Sequence, residues 1–324
     1  MYDVVIVGAG AAGLSAALVL GRQKRSVLIV DGGRPRNAPA AEMHMYLGRD
    51  GGAPAHLLAD GRAEIDVYPT VERISGQVSA VGGADGAFEV TVDDGPPVQA
   101  RKLFFAVGVT DVPWEIPGLA ERWGSGVFHC PFCHGFETDG LTLAVLANGP
   151  DAGLGAYVAD RYSDDVVVCT NGPSTIPDPL SAMLDKTGAR VVETPVDHIE
   201  GEPGSLTVHF ADGSVFERQA LYHRAPTTPN TALTRALGCE HFDDGCVRVD
   251  EFGKTTVPGV SAGGDAAHLA AVPEPVTLVA PAAADGVRAQ CGWSRISSAR
   301  RSSTSPCFKS DLEPRFRRKG CRSR

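Results

Sequence analysis

The chain has 324 residues, enough for two domains and hardly for three. At 43% hydrophobic and 21% charged it is neither collagen-like nor wholly disordered. A net charge of −9 argues against nucleic-acid binding as its main business.

The first thirty residues carry the clearest pattern. Asp3–Val7 (DVVIV) predicts a short buried strand, Gly8-Ala9-Gly10-Ala11-Ala12-Gly13 a glycine turn, Leu14–Gly21 a helix, and Ser26–Val30 a second strand ending in Asp31. This is a βαβ unit with a GxGxxG turn. Gly8 permits the tight turn, Gly10 lets the backbone approach a pyrophosphate, and Gly13 lets helix and strand pack closely. Asp31 lies 21 residues after Gly10, where an acid bonds the ribose of an adenine dinucleotide. The apolar run Val4–Gly21 is not a membrane span: Tyr2 and Asp3 replace a basic flank, and glycine and alanine fill much of it. A cytoplasmic location without membrane attachment is the expectation.

Turn clusters at Gly82–Asp85 and Asp93–Pro97 place Phe88–Val92 in a small β-meander. Leu103–Thr110 (LFFAVGVT) predicts a buried strand ending in a glycine turn. His129-Cys130-Pro131-Phe132-Cys133-His134-Gly135 follows. The CxxC spacing closes a small disulfide loop and lowers the pKa of one thiol, and an adjacent imidazole can relay its proton. Haem attachment, a zinc site and a structural thiol pair are the competing readings. The first needs an exported chain, and the second needs ligand pairs separated by a dozen or more residues. The other cysteines are too scattered for a disulfide framework, and Cys169, Cys239 and Cys246 read as small core residues. No metal is assigned.

A second unit of similar shape runs from the strand Leu141–Leu146 through Ala147-Asn148-Gly149-Pro150-Asp151-Ala152 to the strand Asp165–Cys169. Its turn is degraded. Ala147 replaces the first glycine, the second strand ends in Thr170-Asn171, and no arginine occurs between Arg161 and Arg190 to hold a 2′-phosphate. Fold kept with binding lost and a working NADPH site both stay open, which leaves NADPH in doubt. Thr255–Ala267 closes on Gly264-Asp265. From Arg288 onward eleven basic residues face two acidic ones, whereas residues 1–287 carry a net −18. The stretch 291–324 has no hydrophobic period and is expected to be an atypical, disordered basic tail, of the composition a shifted reading frame in a GC-rich gene would give.

GAGAAG, the AVG of Ala106–Gly108, the CxxC and the late GGD together resemble the low-molecular-weight thioredoxin-reductase family of flavoproteins. RPRNAP (Arg34–Pro39), LGRDG (Leu47–Gly51) and HCPFCHG are similar to the branch that includes the dithiol oxidases of gliotoxin and holomycin biosynthesis, where a histidine follows CxxC. The resemblance implies an FAD site on Gly8, Gly10, Ala12, Gly13, Asp31, Ala106, Gly264 and Asp265. Asn37, His44 and Val276, just before a helix after Thr277, are further flavin-side candidates. Cys133 would face the flavin as attacking or charge-transfer thiolate, Cys130 would exchange with the substrate sulfur, and His134, with His129, would move protons. A homodimer is implied as well.

The reading is an α/β fold of two nested Rossmann-like domains. The FAD domain is expected over 1–113 and 240–290, and the inserted NAD(P)-type domain carrying CxxC over 114–239. The expected activity is FAD-dependent oxidation of a small dithiol with O2 as acceptor. The alternatives are NADPH-dependent reduction of a thioredoxin-like protein and a non-catalytic flavin-bound redox sensor.

Overall fold

The computed structural model describes residues 1–294. The chain opens with β1 (Tyr2–Val7), α1 (Ala11–Arg22) and β2 (Val27–Asp31), and β1 and β2 pair in parallel. Helix α2 (Pro54–Asp66) then returns the chain to β3 (Val71–Ser75), parallel to β2. The meander β4 (Val78–Ala84), β5 (Ala87–Val92) and β6 (Val98–Phe105) is antiparallel, as the turn clusters predict. β6 closes the sheet by pairing in parallel with β1. β1 has four successive buried residues because it is covered on both faces. Val5 and Val7 meet Leu28, Phe88 and Phe105, whereas Val4 and Ile6 meet Ala16, Ala17, Leu20 and Phe104.

The segment read as one strand, Leu103–Thr110, is broken. β6 stops at Phe105, and after Gly108 (φ +62°) a separate short strand β7 (Val109–Asp111) begins. The left-handed glycine turns the chain out of the sheet, toward β8 (Val127–Phe128) and the one-turn helix α3 (Pro131–His134). Next come β9 (Leu143–Leu146), α4 (Gly153–Arg161), β10 (Val166–Cys169), α5 (Asp178–Thr187) and β11 (Arg190–Val192). The hairpins β12 (Val196–Glu202), β13 (Ser205–Phe210) and β14 (Val215–Arg218) lead into β15 (Ala220–Tyr222). The second sheet has the order β11-β10-β9-β15-β8 and is parallel throughout. One face, with Ala144, Leu146, Val167 and Leu221, packs on Ile199, Leu206 and Val208 of the three-stranded sheet. The other, with Leu143, Val145 and Val168, packs on Ala156, Val158 and Leu184 of α4 and α5.

β16 (Thr227–Pro229) runs antiparallel to β7, so the two connections between the large sheets lie side by side. The remainder is α6 (Ala232–Ala236), β17 (Val247–Val249), β18 (Val260–Ala262), β19 (Ala267–Leu269) and α7 (Val279–Ser294). β18 returns to the first sheet. It takes the edge of β6 over Leu103–Phe105, beyond the Val98–Ala100 stretch that β5 occupies. α7 lies against α1 so closely that a Cβ on Gly286 would stand 2.1 Å from the Ala12 carbonyl. The helix runs to Ser294, four residues past the expected boundary, and the remaining tail, 295–324, lies outside the described residues. Among the described residues no helix is long and apolar enough to cross a membrane.

Candidate active site

A cavity of about 1020 Å³ opens where the first sheet, α3 and the start of α7 converge. Strand ends β1, β2 and β6 deliver Gly8–Ala12, Asp31–Asn37 and Ala106–Gly108 to it, and Gly264 and Asp265 enter from the turn after β18. His129, Cys130, Cys133 and His134 border its other side. Ten residues expected to act together thus line one space with Gly8 and Gly10. Three expected residues do not: Gly13 is buried under the turn, His44 lies behind His134 rather than on the cavity wall, and Val276 is 55% exposed, with Thr277, Leu278 and Val279 lining the cavity instead.

The glycines divide by what a side chain would meet. On Gly8 (φ +103°) a Cβ would stand 2.2 Å from the Ala106 carbonyl oxygen, and on Gly13 1.9 Å from that of Gly8. These two close strand, helix and neighbouring strand against one another. A Cβ on Gly10 would meet nothing within 4 Å, because it points into the cavity. An open backbone turn at a helix start, beside an elongated cavity reaching Asp31, fits the pyrophosphate and ribose of FAD. Asp31 is held at the rim by the backbone N–H of Gly33 (2.9 Å) and by Arg62 (3.0 Å).

Arg36 went unassigned in the sequence, and it organises the middle of the site. Its guanidinium donates to both carboxylate oxygens of Asp111 (2.7–3.1 Å) and to Asp265 (3.1 Å). Their side chains are 17%, 11% and 17% exposed, respectively. Burial opposes the arginine charge, but the two carboxylates more than offset it, and its pKa lies above the ordinary value. Burial raises Asp265 despite Arg36. Asp285 fixes the same turn by accepting from the Gly264 N–H (3.0 Å).

Cys130 caps α3, Pro131 occupies the first helical position, and Cys133 follows one turn on. The nearby Cys133 thiol and the backbone N–H groups of Cys133 and Phe132 at the start of α3 favour the charged Cys130 sulfur and lower its pKa to about 7 against the cost of burial. Cys133 is pushed up by donating to Cys130 and by burial. The directions of the two shifts make Cys130 the more acidic thiol of the reduced pair, whereas the family resemblance implies a standing thiolate on Cys133.

Two imidazoles, His129 and His134, border the cavity with the thiols, and a third, His44, lies behind His134. His134 stacks on Phe128 (4.2 Å, 18°), and burial lowers its pKa. His129 is lowered to about 4 by burial and by the neighbouring Arg36 charge. Both rings are neutral near pH 7, and the Nδ1 atom of each is buried without a hydrogen-bond partner. His44 lies edge-on to His134 at 6.3 Å, and its Nε2 is likewise unbonded, 3.4 Å from Glu137. The neutral rings of His129 and His134, each with a free nitrogen, can accept or return a proton.

The second glycine turn is closed on itself. Asn148 Oδ1 accepts from the N–H groups of Gly149 and Thr175 (both 2.8 Å), while its Nδ2 donates to the Thr170 and Pro173 carbonyls. Asn171 Oδ1 accepts from the Val196 N–H (2.8 Å), which ties down the group at the expected ribose position. Cys169, Cys239 and Cys246 are buried, as expected of core residues.

The profile of the pyridine nucleotide-disulphide oxidoreductases matches residues 2–293. A thioredoxin reductase, tcpT, of Claviceps purpurea is 36% identical over 291 residues, covering 85% of this chain and 90% of its own. A second, sirT, of Leptosphaeria maculans is 33% identical, covering 90% and 93%. Among solved structures, an oxidoreductase from Agrobacterium tumefaciens (TM-score 0.83, 36% identity) covers 92% of this chain and 99% of its own. HlmI (TM-score 0.83, 38% identity) covers 92% and 95%.

Proposed function

This chain belongs to the pyridine nucleotide-disulphide oxidoreductase family, and from that premise we propose that it oxidises a small dithiol to its disulfide through Cys130 and Cys133. It is an FAD-dependent thiol–disulfide oxidoreductase of thioredoxin-reductase-like type, and the reading concerns its substrate and electron acceptor. The observation that carries it is the contrast between the two turns. The Gly8–Gly13 turn opens into the cavity that holds the thiols, whereas in the second turn the Asn148 side chain is bonded to the Gly149 N–H and to the Thr170–Thr175 segment. We take residues 1–113 with 240–290 as the flavin domain, 114–239 as the thiol domain, and a homodimer as the working unit.

In the oxidised enzyme Cys130 and Cys133 share a disulfide. One substrate thiolate attacks Sγ of Cys130, forming a mixed disulfide and displacing Cys133. The second substrate thiol then attacks the substrate sulfur of that mixed disulfide, so the product disulfide leaves and Cys130 departs as thiolate. A pKa near 7 makes Cys130 a good leaving group in this second displacement. His134 and His129, neutral and unbonded at Nδ1, relay the two substrate protons, one to the displaced Cys133 sulfur and one to solvent, because rings with lowered pKa values do not retain them near pH 7. Bound FAD supplies a two-electron acceptor for the reduced pair and a route from there to O2. Gly8 and Gly10 leave room for its pyrophosphate, and Asp265, held by Arg36, would hold its ribityl portion.

The names of the fungal relatives favour a second reading, reduction of a protein disulfide at the expense of NADPH. An oxygen electrode separates them. With a small dithiol alone, the purified enzyme should consume O2 in proportion to disulfide formed, and Cys133→Ser should consume none. No oxygen uptake with any small dithiol would remove the oxidase reading.

A further inference from the structure

We propose that the outer face of the three-stranded sheet carries a binding site for a first-row divalent cation, zinc above all, built from His198, Glu200 and His209. The site lies apart from the redox cavity and takes no part in the chemistry above.

The register creates it. His198 of β12 and His209 of β13 are directly paired across the antiparallel ladder, and a bulge between Val196 and His198 brings them into step. Both therefore point to the same face, where their rings stack at 4.1 Å and 8°. Glu200, two residues along β12, shares that face, and its Oε1 lies 2.9 Å from His209 Nε2. One ligand atom from each of the three residues falls within 4.8 Å of the others. Around a tetrahedral zinc, with bonds of about 2.0–2.2 Å, neighbouring ligand atoms stand roughly 3.3–3.5 Å apart. Closure requires only side-chain rotation, because all three residues are at least partly exposed.

Two features distinguish this cluster from a chance meeting of polar groups. Asp197 Oδ2 lies 2.7 Å from His198 Nδ1. A carboxylate behind the imidazole orients the ring, fixes the tautomer and leaves Nε2 as the ligand atom. The surrounding charge also favours a cation: Glu202 and Glu217 join Glu200 among the exposed residues of these strands, and Arg218, their one basic residue, is buried. In the other such cluster among the described residues both ring nitrogens of the histidine are engaged. In Asp244–Cys246–His268, His268 Nε2 already lies against Asp244 (3.1 Å) and Nδ1 against the Leu269 carbonyl (3.0 Å). Two imidazoles and a carboxylate, with water in the fourth position, suit zinc better than magnesium or calcium, which prefer all-oxygen sites.

The test is calorimetric titration of ZnCl2 into the full-length flavoprotein with Cys130 and Cys133 both replaced by serine, so that redox thiols cannot bind the metal. One zinc per chain is expected. His198→Ala and His209→Ala should each weaken binding by about tenfold or more, and Glu200→Gln less, while Thr207→Ala and Asp244→Asn should leave it unchanged. Circular dichroism of each variant confirms folding; these positions are surface ones. Unchanged zinc stoichiometry and affinity in His209→Ala, or no saturation of the parent protein by about 100 µM free zinc, would overturn the proposal.

Discussion

Replacing Arg36 with leucine withdraws the cation that Asp111 and Asp265 share. The three side chains are 11–17% exposed, so solvent screens little of the loss. Removing one partner of a buried ion pair costs about 3–5 kcal/mol, because the remaining charge is left uncompensated. Arg36→Lys keeps the charge but loses the fork that grips both oxygens of Asp111, and should cost about 1–3 kcal/mol. The pH dependence identifies the cause. Burial already raises Asp265 from 3.8 with Arg36 present, and losing the arginine raises it further. A carboxylate whose folded-state pKa is raised binds more protons folded than unfolded, so stability falls as pH rises through the window above 3.8. The leucine variant should therefore be most impaired near pH 8 and recover part of its deficit toward pH 5. Urea unfolding at both pH values, followed by circular dichroism and by flavin release, measures this. A deficit below about 1 kcal/mol, or one that does not change with pH, would refute the reasoning.

Other substitutions separate binding from folding and assign the thiols. Gly10→Val puts a side chain into the cavity and should lower flavin content, read from absorbance, while thermal unfolding of the apoprotein stays near wild type. Gly13→Ala meets the Gly8 carbonyl at 1.9 Å and should instead destabilise the fold by about 1–3 kcal/mol. In the reduced enzyme iodoacetamide should label Cys130 before Cys133, with a rate that rises with pH and levels off above a midpoint of about 7; peptide mass mapping that finds Cys133 labelled first would reverse the assignment. His134→Ala should slow dithiol turnover by about 10²–10⁴-fold if its free nitrogen moves the proton, and a loss under about threefold would make it a packing residue for Phe128.

Local pattern and distant pairing were unequally legible in the chain. The first βαβ unit, the meander and the CxxC could be read because each is encoded within about thirty residues by periodicity and glycine placement. The break between β6 and β7 was less visible: Val109 and Thr110 continue the apolar run, and only the positive φ of Gly108 shows the chain leaving the sheet. Arg36 could not be assigned from spacing, since its partners lie 75 and 229 residues away. Val276 was placed one residue too early for the cavity wall, which begins at Thr277. The weakness of the second turn was visible in Ala147, but not its cause, because Asn148 closes the turn through Thr175, which a linear motif does not reach.

The central claim is that electrons enter from a dithiol at Cys130 and Cys133. It is tested most directly by mixing the oxidised flavoprotein under nitrogen, in a stopped-flow instrument, with a small dithiol or with NADPH. Losing one charge-assisted contact costs about 1.5–3 kcal/mol, roughly 10- to 150-fold in affinity, and in the second unit both Asn148 of the turn and Asn171 after β10 are already bonded within the protein. The dithiol should bleach the flavin rapidly and saturably, NADPH should do so at least tenfold more slowly, and admitting oxygen should restore the yellow colour. Rapid, saturable bleaching by micromolar NADPH would contradict the account and make the chain an NADPH-dependent disulfide reductase.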